Sequence, residues 1–281
     1  GDEVLLFAPA SPKDIRPKGD DLRRGEVYLR RGDLLTPGRL GLAAAMGHAR
    51  LKVFRKPRVG ILSTGDEVVE PGEPLPFGGV YNSNAYSLLG LVLEAGGEPV
   101  LLGKVPDQPE AVLERLEGAG PLDLLLTSGG VSMGEYDVVR KVLERHGEVV
   151  FWKVRQQPGG PLLFARLGGL PVLGLPGNPV SSMVTFFLYG RPFLYKLLQR
   201  TEPPYGRLEA RALTPFKGAE GKRVVRRGVV SVAEKTVRST GNQSSGVLRS
   251  MAFGNALVVL PPDRDAREGE EVEVIPLTFV P

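Results

Sequence analysis

Short apolar runs alternate with helical patterns and glycine-rich turns through the middle of the chain. Residues 58–63, 122–127 and 171–175 are apolar almost throughout, which is typical of strands buried on both faces of a parallel sheet. Residues 84–95 and 135–146 carry apolar side chains at helical spacing and are followed by glycine. This alternation predicts an α/β fold, a mostly parallel sheet covered by helices.

The two ends of the chain have different patterns. Residues 1–56 combine short apolar runs with charged turns and one predicted helix, and hold too few apolar residues for a core of their own. After residue 200 the pattern predicts short strands and no helices, which is typical of a small β-sandwich or barrel. We therefore predict three regions: the remainder of an N-terminal β and linker region (1–56), an α/β domain (57–201) and a C-terminal all-β domain (202–281).

Composition excludes several kinds of site. The 281 residues include no cysteine and two histidines, so disulfides and thiolate metal sites are excluded and a histidine-built zinc site is not expected. Basic and acidic residues are interspersed at a net charge of +4, no nucleic-acid motif is present, and no apolar run is long enough to cross a membrane. The acidic start lacks a signal-peptide pattern, so we expect a cytoplasmic protein that acts on small molecules.

Two polar loops lie in the first half of the α/β region. In residues 63–67 (STGDE), directly after a strand, hydroxyls can donate to oxyanions and a carboxylate can hold Mg²⁺, around a glycine that permits a tight turn. Residues 81–84 lie at a helix start, where Ser83 fits an N-cap. Taken alone, each loop is better explained as a turn or a cap.

Two further loops are richer in glycine and serine. Residues 127–137 (TSGGVSMGEYD) join a strand to a helix and can form a cradle of backbone N–H groups for a phosphate. Their spacing is neither that of a P-loop nor that of a dinucleotide-binding fingerprint. In residues 175–182 (LPGNPVSS), Asn178 and Pro179 fit the N-cap and first residue of a helix whose free N–H groups attract anions.

The expected position of the four loops in the fold strengthens the prediction of a binding site. We expect all four at the carboxyl ends of strands of one sheet, which is where open α/β sheets bind ligands. Together they would line one cleft with phosphate-binding backbone and one acidic pair. The residues therefore predict a phosphate-bearing ligand that is held with Mg²⁺.

Several motifs, taken in order, resemble the MoeA family of molybdopterin molybdenumtransferases and the gephyrin E domain. They are STGDE (63–67), NSN (82–84), TSGGVSMGEYD (127–137), PGGP (158–161) and LPGNPVS (175–181). Residues 241–246 (GNQSSG) and 248–261 are similar to the family's closing β-domain, and residues 14–25 to a link that leaves its elongated β-domain. The resemblance covers essentially the whole chain.

The resemblance implies an enzyme of molybdenum cofactor biosynthesis, which inserts molybdate into adenylylated molybdopterin and releases AMP. It implies Asp66, Asp21 and Ser132 as catalytic residues, Asp66 and Glu67 as Mg²⁺ ligands, a homodimer, and contact with the adenylylating enzyme of the same pathway. The implied substrate-binding residues are Ser63, Thr64, Gly65, Asn82, Ser83, Asn84, Ser128, Gly129, Gly130, Val131, Gly134, Asp137, Lys153, Arg155, Pro158, Gly159, Gly160, Pro176, Gly177, Asn178, Pro179 and Ser181.

The sequence departs from the family pattern in three respects. The Ser-Ala-Met-Asp-Gly-Tyr-Ala-like motif of the family's early helical region does not occur, so we expect that an N-terminal portion is missing. Gln157 precedes the Pro-Gly-Gly-Pro turn and Gly160 replaces a lysine within it, which leaves Lys153 and Arg155 as the nearest cations for molybdate. Asn82 stands where many relatives carry aspartate.

Two other functions remain open. A molybdopterin adenylyltransferase or a CinA-like nucleotide hydrolase would share the sheet and the Gly-Gly loop, but residues 1–56 and the β-tail would be surplus to either. A non-catalytic scaffold, as the gephyrin E domain partly is, would not need the loops that carry chemistry. Consumption of ATP, of adenylylated pterin or of neither distinguishes the three.

Overall fold

The computed structural model describes residues 2–3, 15–131 and 138–277. Residues 1–51 form one compact unit and residues 52–281 another. The first unit has the helix α1 (Pro37–Ala45), which begins after Thr36, whose hydroxyl accepts a hydrogen bond from the amide of Arg39 at 3.4 Å. Among the described residues of this unit there is no strand, and Ala43 alone is buried. As the sequence predicts, the unit has no core of its own in its described part.

A six-stranded sheet organises the first part of the second unit. Its order is β4–β1–β5–β9–β8–β6; all of these strands run in the same direction except β8, which is antiparallel to both of its neighbours. The short strands β2 and β3 form a separate pair. In chain order the strands of this part are β1 (Arg58–Thr64), β2 (Val68–Val69), β3 (Val80–Tyr81), β4 (Glu98–Val105), β5 (Leu124–Ser128), β6 (Glu148–Trp152), β7 (Gln156–Gln157), β8 (Leu163–Leu167) and β9 (Leu170–Leu175).

Helices cover both faces of this sheet, so the predicted α/β fold is confirmed. They are α2 (Ser83–Glu94), α3 (Pro109–Glu117), α4 (Val138–His146), α5 (Pro179–Thr185) and α6 (Arg191–Leu197), with a π-helical segment, Phe186–Gly190, between the last two. The helices α2 and α6 share one apolar core with the sheet through Leu88 and Leu194, and α3 and α4 share another through Val112 and Val142. No helix within the described ranges is long and apolar enough to span a bilayer.

The rest of the second unit is a small β-barrel. Its strands are β10 (Leu208–Ala212), β11 (Arg223–Ser231), β12 (Thr236–Ser239), β13 (Ala256–Leu260) and β14 (Glu271–Pro276). Their order is β12–β10–β14–β13–β11, and β12 also pairs with β11, which closes the barrel. The predicted all-β domain is confirmed as a barrel. The prediction of no helix after residue 200 is wrong, because the single turn α7 (Arg249–Ala252) precedes β13.

Both side-chain packing and strand pairing join the barrel to the α/β part. Val180 and Val184 of α5 pack with Val225 and Leu257 of the barrel in one buried apolar cluster. The strand β7 leaves the α/β part and pairs, parallel, with the start of β11. These contacts place barrel residues beside the amino end of α5, which follows one of the predicted binding loops.

Candidate functional site

The first loop begins where β1 ends. Ser63 and Thr64 are buried at the end of the strand, and Gly65 has a φ of +131°, which only glycine adopts readily. The carboxylate of Glu67 folds back over this glycine, since a Cβ added to Gly65 would lie 2.8 Å from Glu67 Oε2. Asp66 is exposed beside it. The predicted acidic pair therefore lies at the carboxyl edge of the sheet, and the glycine is required for this turn.

The second loop reaches the first by a different route from the one expected. Asn82 follows β3, which does not belong to the main sheet, so the prediction that this loop ends one of its strands is wrong. The amide oxygen of Asn82 instead accepts a hydrogen bond from Ser63 Oγ at 3.0 Å. The same oxygen accepts from the Ala85 amide at 3.2 Å, so Asn82 is the N-cap of α2 and Ser83 is its first residue. The N-cap interpretation of Ser83 is therefore wrong.

Glu70 joins this network and has no counterpart among the predicted residues. Asn82 donates through Nδ2 to Glu70 Oε1 at 2.6 Å, and the Tyr86 hydroxyl donates to Glu70 Oε2 at 3.1 Å. The hydrogen bond to this carboxylate raises the pKa of Tyr86. An amide at position 82 can donate to Glu70, whereas a carboxylate there would repel it.

Asn84 ties three loops together. Its Nδ2 donates to Ser128 Oγ at 2.7 Å and to the carbonyl oxygen of Gly177 at 2.7 Å. Asn84 begins the helix after the second loop, Ser128 ends β5 and Gly177 follows β9. The predicted convergence of the second, third and fourth loops is thus seen in one side chain.

The glycines of the third loop allow its backbone to approach the first. Gly129 and Gly130 have φ of +95° and +66°, and an added Cβ would lie 2.9 Å from the Thr64 carbonyl oxygen and 2.9 Å from Thr64 Oγ1, respectively. The amide of Gly129 donates to the carbonyl of Leu175 at 3.1 Å, so this N–H is not available to a phosphate. Ser132, Gly134 and Asp137 lie outside the described residues.

Four buried polar atoms in the four predicted loops have no hydrogen-bond partner among the described residues. They are Thr64 Oγ1, which faces Gly130, Asn84 Oδ1, Thr127 Oγ1 and Ser182 Oγ. A buried acceptor or donor without a partner is costly, and a ligand or a water molecule commonly supplies the missing bond. This meeting point of the loops is therefore able to bind a polar ligand.

The Pro-Gly-Gly-Pro turn is held against α5 and the barrel. Pro158 and Gly159 are buried, and a side chain on Gly159 would collide with Thr185 of α5. Gln156 donates through Nε2 to the carbonyl of Pro158 at 2.9 Å and accepts from the Tyr189 hydroxyl at 3.0 Å. Sequence analysis did not identify Gln156, because its partner Tyr189 is distant in the chain and β7 has only two residues.

The cations that precede this turn are exposed. Lys153 places its ammonium 4.1 Å from the ring centroid of Trp152, and the carbonyl of Arg155 accepts from the amide of Arg223 at 3.0 Å. Gln157 is exposed and Gly160 is partly exposed. The side chains of Lys153 and Arg155 can therefore meet a ligand from solvent, next to a turn that the protein holds in place.

The amino end of α5 begins at Pro179, as predicted, but its capping differs. Asn178 is the N-cap residue, as predicted, but its side chain makes no capping hydrogen bond. The amide of Val180 donates to the carbonyl of Ser245 at 3.0 Å. Ser181, on the first turn, is buried. A barrel loop, residues 241–246, thus supplies the partner for one of the N–H groups at this helix end.

That barrel loop also holds Arg227, a residue that sequence analysis missed. Arg227 is fully buried; its Nη2 donates to the Ser244 carbonyl at 3.1 Å and its Nε to Ser250 Oγ at 3.0 Å. Its Nη1 has no hydrogen-bond partner within the described ranges, and burial lowers the pKa of the guanidinium to about 10. The alternation of side chains along a strand could have indicated its burial, because it places Arg227 on the same face as Val225 and Val229.

Asp21 belongs to the unit of residues 1–51, where it is exposed. In the described part of the chain, no three histidine or acidic side chains converge into a group that could hold a metal ion. The roles expected for Asp21 and for the pair Asp66 and Glu67 stay predictions.

Comparison with known proteins identifies relatives of this chain. Residues 60–196 match the family model described as a probable molybdopterin binding domain, and residues 209–277 match that of the MoeA C-terminal region (domain IV). A molybdopterin molybdenumtransferase of Haemophilus influenzae is 38% identical over 99% of this chain and 71% of its own length. One from Bacillus subtilis is 33% identical over 93% of this chain and 62% of its own.

A solved structure has the same fold. The molybdopterin biosynthesis MoeA protein of Pyrococcus horikoshii superposes with a TM-score of 0.81 at 32% identity, covering 92% of this chain and 64% of that one. The chain therefore spans between 62% and 71% of the length of these three relatives.

Proposed function

Because the chain belongs to the MoeA family of molybdopterin molybdenumtransferases, we propose that it inserts molybdate into adenylylated molybdopterin, with release of AMP. The observation that carries the proposal is the bridge by Asn84, which joins Ser128 and Gly177 at 2.7 Å each. It holds the glycine-rich loop and the start of α5 at one edge of the sheet, where α/β proteins bind phosphorylated ligands.

The phosphates of the substrate would lie against the loop that contains Gly129 and Gly130. The two glycines leave room there, and Thr64 Oγ1 and Asn84 Oδ1 have no other partner among the described residues. A hydrogen bond to each would satisfy a buried polar atom, which is an interaction that a ligand gains without competition from the protein.

Asp66 and Glu67 are the residues that would hold Mg²⁺. Both carboxylates lie at the first loop, and Mg²⁺ takes one or two carboxylates and fills its remaining positions with phosphate oxygens and water. The donor set therefore fits the ion. When bound, the ion would neutralise phosphate charge. Asp66, whose carboxylate is exposed, would orient the water that cleaves the adenylate.

Molybdate would lie near the Pro-Gly-Gly-Pro turn and the start of α5. Lys153 and Arg155 are exposed beside the turn and Ser181 is on the first turn of α5. We add Arg227 of β11 to this proposal, because it is a buried cation with one nitrogen unpartnered among the described residues, and it donates to the barrel loop that contacts α5. A tetrahedral oxyanion suits such a set of hydroxyl and cationic donors.

The test is a single-turnover assay with adenylylated molybdopterin. We expect AMP release that depends on molybdate and on Mg²⁺, and no consumption of ATP. Consumption of ATP with unadenylylated pterin would favour the adenylyltransferase, and hydrolysis of nucleotides without pterin would favour the nucleotide hydrolase. Binding of the substrate without turnover, at saturating molybdate and Mg²⁺, would favour a scaffold.

The proposal includes a homodimer. The described residues of the first unit bury only Ala43 and leave apolar side chains such as Val27 and Leu40 exposed, so this unit needs a further surface to cover it. Light scattering at micromolar concentration is expected to give twice the chain mass of 30.3 kDa. A mass of one chain would contradict it. Contact with the adenylylating enzyme of the pathway also stays a prediction.

A further inference from the structure

Trp152, the sole tryptophan of the chain, contacts the glycine-rich loop. It ends β6, and its indole Nε1–H donates to the carbonyl of Val131 at 3.0 Å. Val131 is itself buried, and directly follows Gly129 and Gly130. The indole thus fixes the end of the loop that the proposed substrate phosphates would contact.

The ring of Trp152 also carries two cations. The Arg140 guanidinium carbon lies 4.2 Å and the Lys153 ammonium 4.1 Å from its centroid, both well within the range of cation–π attraction. Arg140 is tied to the same loop, since its amide donates to the carbonyl of Gly130 at 3.2 Å, and its guanidinium pairs with Glu144 at 3.2 Å. The ring attracts both cations beside the loop, and Glu144 offsets part of the charge of Arg140.

We infer that Trp152 is a positioning residue: its N–H orients the loop of Gly129–Val131, and its ring holds the Arg140 guanidinium beside that loop, where it would attract phosphate oxygens of the substrate. The inference rests on the proposed function. It adds Trp152 and Arg140 to the residues that determine phosphate binding. A purely structural Trp152 would instead contribute to folding and leave ligand affinity unchanged.

The experiment uses AMP with Mg²⁺ as the probe and calorimetry as the measure of affinity. Trp152→Phe keeps a ring for the cations but removes the N–H donor, and Trp152→Leu removes both. We expect the Kd for AMP to rise about threefold in the first and about tenfold or more in the second. Urea unfolding of each variant shows whether the fold is retained. Since Trp152 is the only tryptophan, AMP is also expected to change its emission in the wild-type chain, with the midpoint given by calorimetry.

Arg140→Gln extends the test to a variant that keeps Trp152. It is expected to weaken AMP binding about fivefold, whereas Arg145→Gln, which removes an exposed charge from the same helix, is expected to leave the Kd unchanged. If the Trp152 and Arg140 variants bind AMP within twofold of the wild type, the inference is wrong and the proposed function stands. If the wild-type chain itself binds no AMP, both are wrong.

Discussion

At the amino ends of the strands of the main sheet charged groups are paired, whereas at the carboxyl ends buried polar atoms lack partners among the described residues. Asp123, just before β5, accepts hydrogen bonds from the Arg55 guanidinium and from the amide of Arg58 at 2.8 Å. Arg58, which begins β1, also donates to the Pro121 carbonyl at 2.8 Å and lies 3.8 Å from Glu98, which begins β4. One edge is thus closed by ion pairs and backbone contacts.

The opposite edge leaves its hydrogen-bonding capacity open. Thr64 Oγ1 and Asn84 Oδ1 are buried without partners among the described residues. A buried polar atom without a hydrogen bond costs stability, so a fold retains it where a ligand supplies the missing bond. The comparison predicts that substitutions at the carboxyl edge affect binding and catalysis, whereas those at the amino edge affect stability alone.

Asp66→Asn tests the comparison with the largest expected effect. The change keeps the shape of the side chain and removes the charge that would hold Mg²⁺, so AMP release in single turnover is expected to fall about 100-fold or more. The unfolding free energy should stay the same, because Asp66 is exposed. Glu73→Gln, at an exposed position before β3, is the matched control and should retain the rate. A rate of Asp66→Asn within a few-fold of the wild type would remove Asp66 from the catalytic residues.

Two glycines, one on either side of β5, distinguish the cost of backbone strain from the cost of a steric collision. Gly120 precedes the strand and Gly129 follows it, both with positive φ. An alanine at Gly129 would meet the Thr64 carbonyl at 2.9 Å, whereas at Gly120 the nearest atom is 3.9 Å away, at the end of the flexible Arg58 side chain. We expect Gly120→Ala to cost about 1 kcal/mol from backbone strain and Gly129→Ala about 2–3 kcal/mol.

Urea unfolding measures this difference, provided that the dependence on urea concentration is the same in both variants. Gly129→Ala should also weaken AMP binding, and Gly120→Ala should not. Equal losses of stability would show that the two loops do not differ in packing, which is the premise of the comparison.

The helices and strands were predictable where a local sequence pattern specifies them. The candidate site was predictable only in part. Strands such as β1 are read from uniform apolar runs, and the turn at Gly65 from its residue type. The bridge of Asn84 joins residues 93 positions apart, and no local pattern specifies which strands become neighbours. Strands β2, β3 and β7 have two residues each, too few for a period to show. For the same reason Glu70 and Gln156 were missed.

The capping hydrogen bonds that the sequence did not predict have a different cause. Residues 82–84 offer several side chains able to cap α2, and the choice depends on which oxygen faces the Ala85 amide. At α5 the fourth loop has good capping residues, yet a barrel loop more than 60 residues away supplies a partner for Val180 through Ser245. Tertiary contacts therefore determine which groups cap these helices, and the local sequence does not specify those contacts.

Gly160→Lys is expected to strengthen the binding of molybdate. An added Cβ at Gly160 would lie 3.2 Å from the Gln156 carbonyl oxygen, so the backbone must shift by a few tenths of an ångström. The φ of Gly160 is not in the left-handed region, so a side chain there causes no backbone strain. One charge-assisted contact should lower the Kd for molybdate about tenfold, which corresponds to about 1.4 kcal/mol. Gly206→Lys adds the same charge at an exposed position with open space and should have no effect. Equal Kd values in both variants, by calorimetry, would place the oxyanion away from this turn.

Asp123→Asn tests the paired edge, where the smallest effect is expected. Asp123 is partly exposed, so the loss of its charge should cost about 1 kcal/mol or less after solvent screening.

The hydrogen bonds that Asp123 accepts from the Arg55 guanidinium hold the pKa of the carboxyl below its ordinary value, and the backbone bond from Arg58 acts in the same direction. A carboxyl with a lowered pKa in the folded state stabilises the fold above its ordinary pKa of about 3.9 and loses this contribution as the pH falls through the lowered value. The difference in unfolding free energy between the wild type and Asp123→Asn should therefore be constant near neutral pH and shrink below about pH 4. The rate of AMP release should be the same in both, since Asp123 lies at the edge opposite the site. A slower rate with unchanged stability would mean that the two edges are not divided between folding and function.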